Sequence, residues 1–128
     1  MAARVFLGLM GFMWVAYGLW CFINPGFLHE AVGVAAITGP PGLVDIQATY
    51  GGFQTAVGVL LLGGALRPEN TRSVLVTYGV LCAGIGSARL VAALLASEWS
   101  SYTSVGVGFE LGTVAVVLAL LARSRVSA

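Results

Sequence analysis

The chain has 128 residues, 59% of them hydrophobic and 9% charged, with a formal net charge of +1. Soluble domains carry about 25% charged and 45–50% apolar residues, so this composition, with a mean hydropathy of +0.96, excludes a water-soluble globule and makes lipid the natural solvent. Arginine supplies all six basic side chains and no basic run occurs, which leaves no electrostatic footprint for nucleic acid.

The length suits a single four-span domain over residues 1–128. The first apolar stretch runs from about Val5 to Ile23. Its run is too long for a secretory h-region and no A-x-A cleavage site follows, so it is read as a retained span. In the connection "INPGFLHEAVGVAAITGPPG", Asn24 can cap and Pro25 can open a short helix. Phe27, Leu28, Ala31, Val32 and Ala35 then share one face while His29 and Glu30 face water. This pattern predicts an interfacial helix, ended by a Gly39-Pro40-Pro41-Gly42 turn.

Span two is expected from about Leu43 to Leu66, span three from Val74 to Ala96 and span four from Tyr102 to Ala122. About 20 apolar residues cross a bilayer, and a lone helix satisfies its own backbone there. "RPENTR" (67–72) joins spans two and three, and "SEWSS" (97–101) makes a tight polar turn between spans three and four. Short connections of this kind give an all-α, integral-membrane, up-down four-helix bundle.

Arg4, Arg67, Arg72, Arg123 and Arg125 fall on the side shared by both termini, and Glu30, Asp45 and Glu98 on the other. The positive-inside rule predicts a multi-pass protein of the inner membrane with cytoplasmic termini. Small residues recur every four positions: Ala48, Gly52 and Ala56 on span two; Gly84, Ala88, Ala92 and Ala96 on span three; Gly108 and Gly112 on span four. Such ridges let helices approach closely, and they are expected to pack mainly within the chain; a homo-oligomer or a membrane partner protein is the other use for them. Cys21 and Cys82 should lie at different depths, too far apart to bridge, as buried thiols.

The polar residues inside the spans carry the functional signal. Arginine at a bilayer centre costs at least about 2.5–3.5 kcal/mol and normally faces the bundle interior with a partner. Arg89 precedes the turn near Ser100 by about ten residues and Glu110 follows it by about ten, so at 1.5 Å rise per residue they reach equal depth and can pair. On span two, Gln47, Tyr50 and Gln54 follow i, i+3, i+7 spacing on one face, with Asp45 rotated off it. On span one, Trp14, Tyr17 and Cys21 make a similar stripe with polar tips. Arg89, Glu110, Tyr50, Gln47, Gln54, Trp14 and Tyr17 are the candidate ligand-binding residues.

Three uses of such a cluster stand side by side. A buried polar network can fix helix register and bind nothing. A cluster open to one leaflet suits the head group of a small amphipathic or lipid-like molecule. Glu110 beside Arg89 could also act as an acid or base, in an isomerase or a redox accessory. No nucleophile–base pair and no nucleotide loop is present in the sequence. His29 with Glu30 and Asp45 falls short of the three or four ligands of a zinc site. No metal and no cofactor is therefore expected.

The segments "FLGLMGFMWVAYGLWCFINP", "DIQATYGGFQTAVGVLLLGGALRP", "GIGSARLVAALL" and "FELGTVAVVLALL" resemble the domain of unknown function 4345 family, small four-helix bacterial membrane proteins broadly similar to DoxX-like proteins. The most specific part is the acidic-x-x-A-x-Y-G-G stretch, matched by Asp45, Ala48, Tyr50, Gly51 and Gly52. Arg89 and Glu110 match the arginine and glutamate that the family carries within its spans. Family members often have arginine where this chain has Gln47. The resemblance implies fold and location more than function; the leading reading from the residues themselves is an amphiphile-binding membrane protein. A membrane enzyme using Glu110 or a subunit docking another membrane protein is the alternative.

Overall fold

The computed structural model describes residues 1–30, 39–97 and 99–126, and within them the backbone forms helices and turns with no strand. Helix α1 (Ala2–Ile23) ends where Asn24 leaves helical geometry and Pro25 follows. A four-residue turn of helix, α2 (Phe27–Glu30), comes next. Leu28 in it is fully buried and packs with Cys21 and Ile46. Of the expected interfacial helix, residues 31–38 lie outside the described residues.

Span two is built from three pieces. Helix α3 (Pro40–Ile46) leads into a π-helical segment (Gln47–Phe53), which leads into helix α4 (Gln54–Leu66). The Gly-Pro-Pro-Gly stretch opens this helix; the helix end expected just before it lies outside the described residues. Prolines in a first turn lack only N–H groups that have no helical partner there. Gly39 takes φ 85, a left-handed conformation that glycine adopts without strain. A single 3-10 turn (Pro68–Asn70) joins α4 to α5 (Thr71–Ala96). The Thr71 hydroxyl donates to the Gly64 carbonyl at 2.8 Å, stitching that corner. Helix α5 begins three residues before the expected Val74 and ends at Ser97, whose φ is 52. Ser100 caps α6 (Ser101–Val126), accepting a 3.1 Å bond from the Thr103 N–H.

Four helical stretches, Ala2–Ile23, Pro40–Leu66, Pro68–Ala96 and Ser101–Arg123, are long and apolar enough to cross a membrane. They pack as two hairpins. In the first, α1 meets span two backbone to backbone. A Cβ on Gly18 would stand 2.5 Å from Thr55 Oγ1 and 2.6 Å from Thr55 N, and one on Gly58 would stand 2.6 Å from Val15 N. In the second hairpin, α5 receives α6, with Gly79 facing Val117.

The hairpins join near the chain termini. Leu7, Leu61, Val74, Leu75, Tyr78, Cys82 and Val117 form a buried core there, and Gly64 lets Val74 approach span two. Cys21 belongs to the separate Leu28 and Ile46 cluster, so both thiols are free and buried in different places. Toward the other end, a cavity separates the hairpins.

The expected small-residue ridges do not hold this bundle together. Ala48, Gly52 and Ala56, then Gly84, Ala88, Ala92 and Ala96, and Gly108 with Gly112 are all exposed. A Cβ on Gly84, Gly108 or Gly112 would meet nothing within 4 Å. The glycines that do pack (Gly11, Gly18, Gly51, Gly58, Gly64, Gly79, Gly86 and Gly106) lie on other faces. Spacing every four positions fixes a face but not its direction, and the bulky core residues decided that here.

Candidate functional site between the hairpins

Arg89 on α5 and Glu110 on α6 sit side by side beyond the turn that joins their helices. Arg89 Nε lies 3.0 Å from Glu110 Oε2 and 3.2 Å from Oε1, and Nη2 lies 2.8 Å from Oε1. This two-pronged geometry matches the planar guanidinium to the carboxylate and is stronger than a single contact. Glycines make room for it from both sides. A Cβ on Gly86 would come within 3.0 Å of Glu110 Cβ, and one on Gly106 within 2.9 Å of Arg89 Nε. Gly86 precedes Arg89 by one turn of α5, and Gly106 precedes Glu110 by one turn of α6. Each helix therefore thins where the other brings in its charge. Glu110 is buried at 7% exposure, while the Arg89 side chain keeps 29%.

Tyr102 completes this wall, its ring centroid 5.6 Å from Arg89 Cζ, within range of a cation–π contact. Tyr102, Gly106 and Glu110 recur every four residues, so they share a face of α6. That spacing was the sequence signal for Tyr102. At the start of a span, an aromatic residue is equally consistent with an interfacial anchor, so the spacing alone does not single it out.

The opposite wall comes from the first hairpin. Tyr50 and Gln54 reach the cavity from span two, with Thr49 and Phe53. The π-helical segment carries Tyr50, and its i→i+5 bonding breaks the 3.6-residue periodicity on which the expected face depended. Gln47 consequently turns away. Its Nε2 donates to the Phe22 carbonyl at 2.9 Å, tying the start of the segment to the end of α1, and Gln47 does not line the cavity. Where the segment returns to α-helix, the Thr55 hydroxyl donates to the Gly51 carbonyl at 2.7 Å.

From α1, Trp14 and Tyr17 line the cavity, but the polar tip of Trp14 is engaged elsewhere: Nε1 donates to the Tyr78 hydroxyl at 2.9 Å. The indole presents itself edge-on to Phe109 at 6.0 Å and to Tyr17 at 6.3 Å. Cys21, the last member of that stripe, is buried beside Leu28 and Ile46. Asp45 and His29 are exposed and contribute nothing to these walls.

The space enclosed is about 490 Å³, within the range of about 300–1,000 Å³ typical of small-molecule sites. Arg89 and Glu110 are the charged side chains on its lining, amid aromatic and aliphatic walls. One polar atom there lacks any partner among the described residues: Gln54 Oε1 is buried and accepts no hydrogen bond. Buried polar atoms are almost always satisfied, so this acceptor calls for a donor from outside the protein.

Fold and site together define a class: an all-α bundle of four span-length helices, its two hairpins parted around a polar-tipped apolar cavity. Within that class the chain belongs to the family named as a domain of unknown function (DUF4345), whose model matches residues 2–121. Neither the curated proteins nor the solved structures contain a match to it.

Proposed function

We propose that this protein is a multi-pass inner-membrane protein, with both termini cytoplasmic, that binds or helps to handle a small amphipathic or lipid-like molecule between its hairpins. The observation that carries this reading is the cavity itself, apolar on most of its walls and polar at Arg89, Glu110, Tyr50 and Gln54. A network whose only task was to lock helix register would leave no such space, because protein interiors close-pack around it. In this reading Arg89 is the head-group anchor and Glu110 its counter-ion. Tyr50 and Gln54 supply orienting hydrogen bonds, and Trp14 and Tyr17 line the apolar part. Gln47 has a helix-tying role instead.

Native mass spectrometry with lipid extraction, on wild type and on the Arg89→Ala/Glu110→Ala variant, tests the proposal. Removing both charges avoids stranding one. A molecule retained by wild type and lost by the folded double variant supports binding at this site. If nothing is retained by either protein and the variant is less stable, the pair serves only to join two helices.

A second reading, association with another copy or with a membrane partner, is favoured by the outward direction of the Gly84, Gly108 and Gly112 faces. Close helix approach in lipid uses such surfaces. Replacing Gly108 or Gly112 by Leu would then release a co-purifying protein or a dimer while leaving lipid retention intact.

A further inference from the structure

We infer that the molecule held in this cavity is an uncharged amphiphile whose polar end carries a free hydroxyl, rather than an anionic lipid or fatty acid. The inference rests on the amphiphile-binding reading above and narrows its ligand class. Two observations carry it.

The first is charge. Arg89 spends Nε and Nη2 on both oxygens of the Glu110 carboxylate, and no other charged side chain among the described residues lines the cavity. Over those residues the site therefore offers no net charge. An incoming carboxylate or phosphate would have to lie beside Glu110 or displace it from Arg89. In surroundings of low dielectric, like charges repel far more strongly than in water. A neutral polar group meets no such barrier, and the Nη1 group of Arg89, which makes no hydrogen bond among the described residues, can still donate to its oxygen.

The second is the unpartnered acceptor. Gln54 Oε1 is buried on this same lining without a donor. An ester, ether or ionised acid brings only acceptors to it and leaves it unsatisfied. A hydroxyl both gives a hydrogen to Gln54 and accepts one from Arg89. Sites built to bond a ligand hydroxyl reject analogues that lack it, because their own buried polar groups are then stranded.

The test is competitive native mass spectrometry on the delipidated full chain with three probes of equal acyl length: dioctanoylglycerol, its acetylated form, and dioctanoylphosphatidate. Wild type is expected to retain dioctanoylglycerol about tenfold over the acetylated form, the ratio of one buried hydrogen bond, and phosphatidate least. Gln54→Met should bring the first ratio close to one. That variant is expected to fold, because replacing an unsatisfied buried acceptor by an apolar group of similar length costs little. Phosphatidate bound in preference, equal retention of the acetylated form by wild type, or a tenfold ratio that survives in Gln54→Met would each overturn the inference while the amphiphile reading stands. Retention of no probe above the Arg89→Ala/Glu110→Ala background would overturn both.

Discussion

Arg89 and Glu110 reach one another because each faces a glycine. Gly84 and Gly86 are two residues apart on the same helix, yet a Cβ meets nothing at the first and crowds Glu110 Cβ at 3.0 Å and Leu111 Cδ2 at 2.9 Å at the second. Alanine favours helix over glycine by up to about 1 kcal/mol. Gly84→Ala should therefore be neutral or slightly stabilising. Gly86→Ala gains the same propensity but forces α6 away, an overpacking cost of typically about 1–3 kcal/mol, and should come out destabilised. Thermal unfolding of the two purified variants side by side decides this, and equal melting points would contradict the close approach at Gly86. The ion pair itself yields a sharper expectation. Glu110→Ala strands Arg89 among apolar walls, whereas Arg89→Ala/Glu110→Ala strands nothing. The single variant should be the less stable, by up to the roughly 2.5–3.5 kcal/mol that arginine costs within a span. Partial exposure of Arg89 sets this as an upper figure. Denaturant titration in detergent measures it, and a double variant less stable than the single one would mean that Arg89 is not in an apolar setting.

At the scale of elements, the π-helical segment Gln47–Phe53 is what points Tyr50 and Gln54 at the cavity while sending Gln47 to Phe22. Nothing in "QATYGGF" announces i→i+5 bonding, which depends on how span two fits against α1. Gly51 faces Phe22 there, 2.7 Å from its Cβ, so the backbone is pressed against α1 at the middle of the segment. The residues of the site were thus legible one by one, from polarity in apolar runs, but the face on span two was not. Deleting Gly52 should restore α-helical spacing and rotate α3 by about 100° relative to α4, one residue's turn of an ideal helix. The deletion is expected to abolish lipid retention in native mass spectrometry. Amide protection in α4 and around Tyr78 should persist, because that core lies past the deletion. Retained lipid after the deletion would show that the π-helical geometry does not set the site.

At the scale of the whole molecule, the sequence carried the fold almost completely. Four apolar runs, three connections and the nearly equal separations of Arg89 and Glu110 from Ser100 suffice to place the helices and their pairing in antiparallel hairpins. What it did not carry was the direction of faces. The small-residue ridges look inward on spacing alone, yet they are outside, because Leu7, Leu61, Leu75 and Tyr78 take the interior near the termini. It also gave no sign of the parting of the hairpins, a product of packing that is tight at one end and interrupted at the other.

The proposed topology also predicts the sidedness of the cavity. Arg4, Arg67 and Arg72 lie at the end where the termini and the Pro68–Asn70 turn meet, and the cavity lies toward the end holding Ser97 and Ser100. Arginine retains loops on the cytoplasmic side, so the proposed topology predicts that the cavity lies in the outer half of the membrane, where an amphiphile arriving from the outer leaflet would meet it. Cys21 and Cys82 are both buried and can be replaced by Ser and Ala to give a background without thiols. In that background, Ser100→Cys should react with a membrane-impermeant maleimide on intact cells. Asn70→Cys, exposed in the turn at the opposite end, should react only after the membrane is opened. The reverse pattern would put the cavity in the inner leaflet and make the arginines face outward, against the charge rule on which the topology rests.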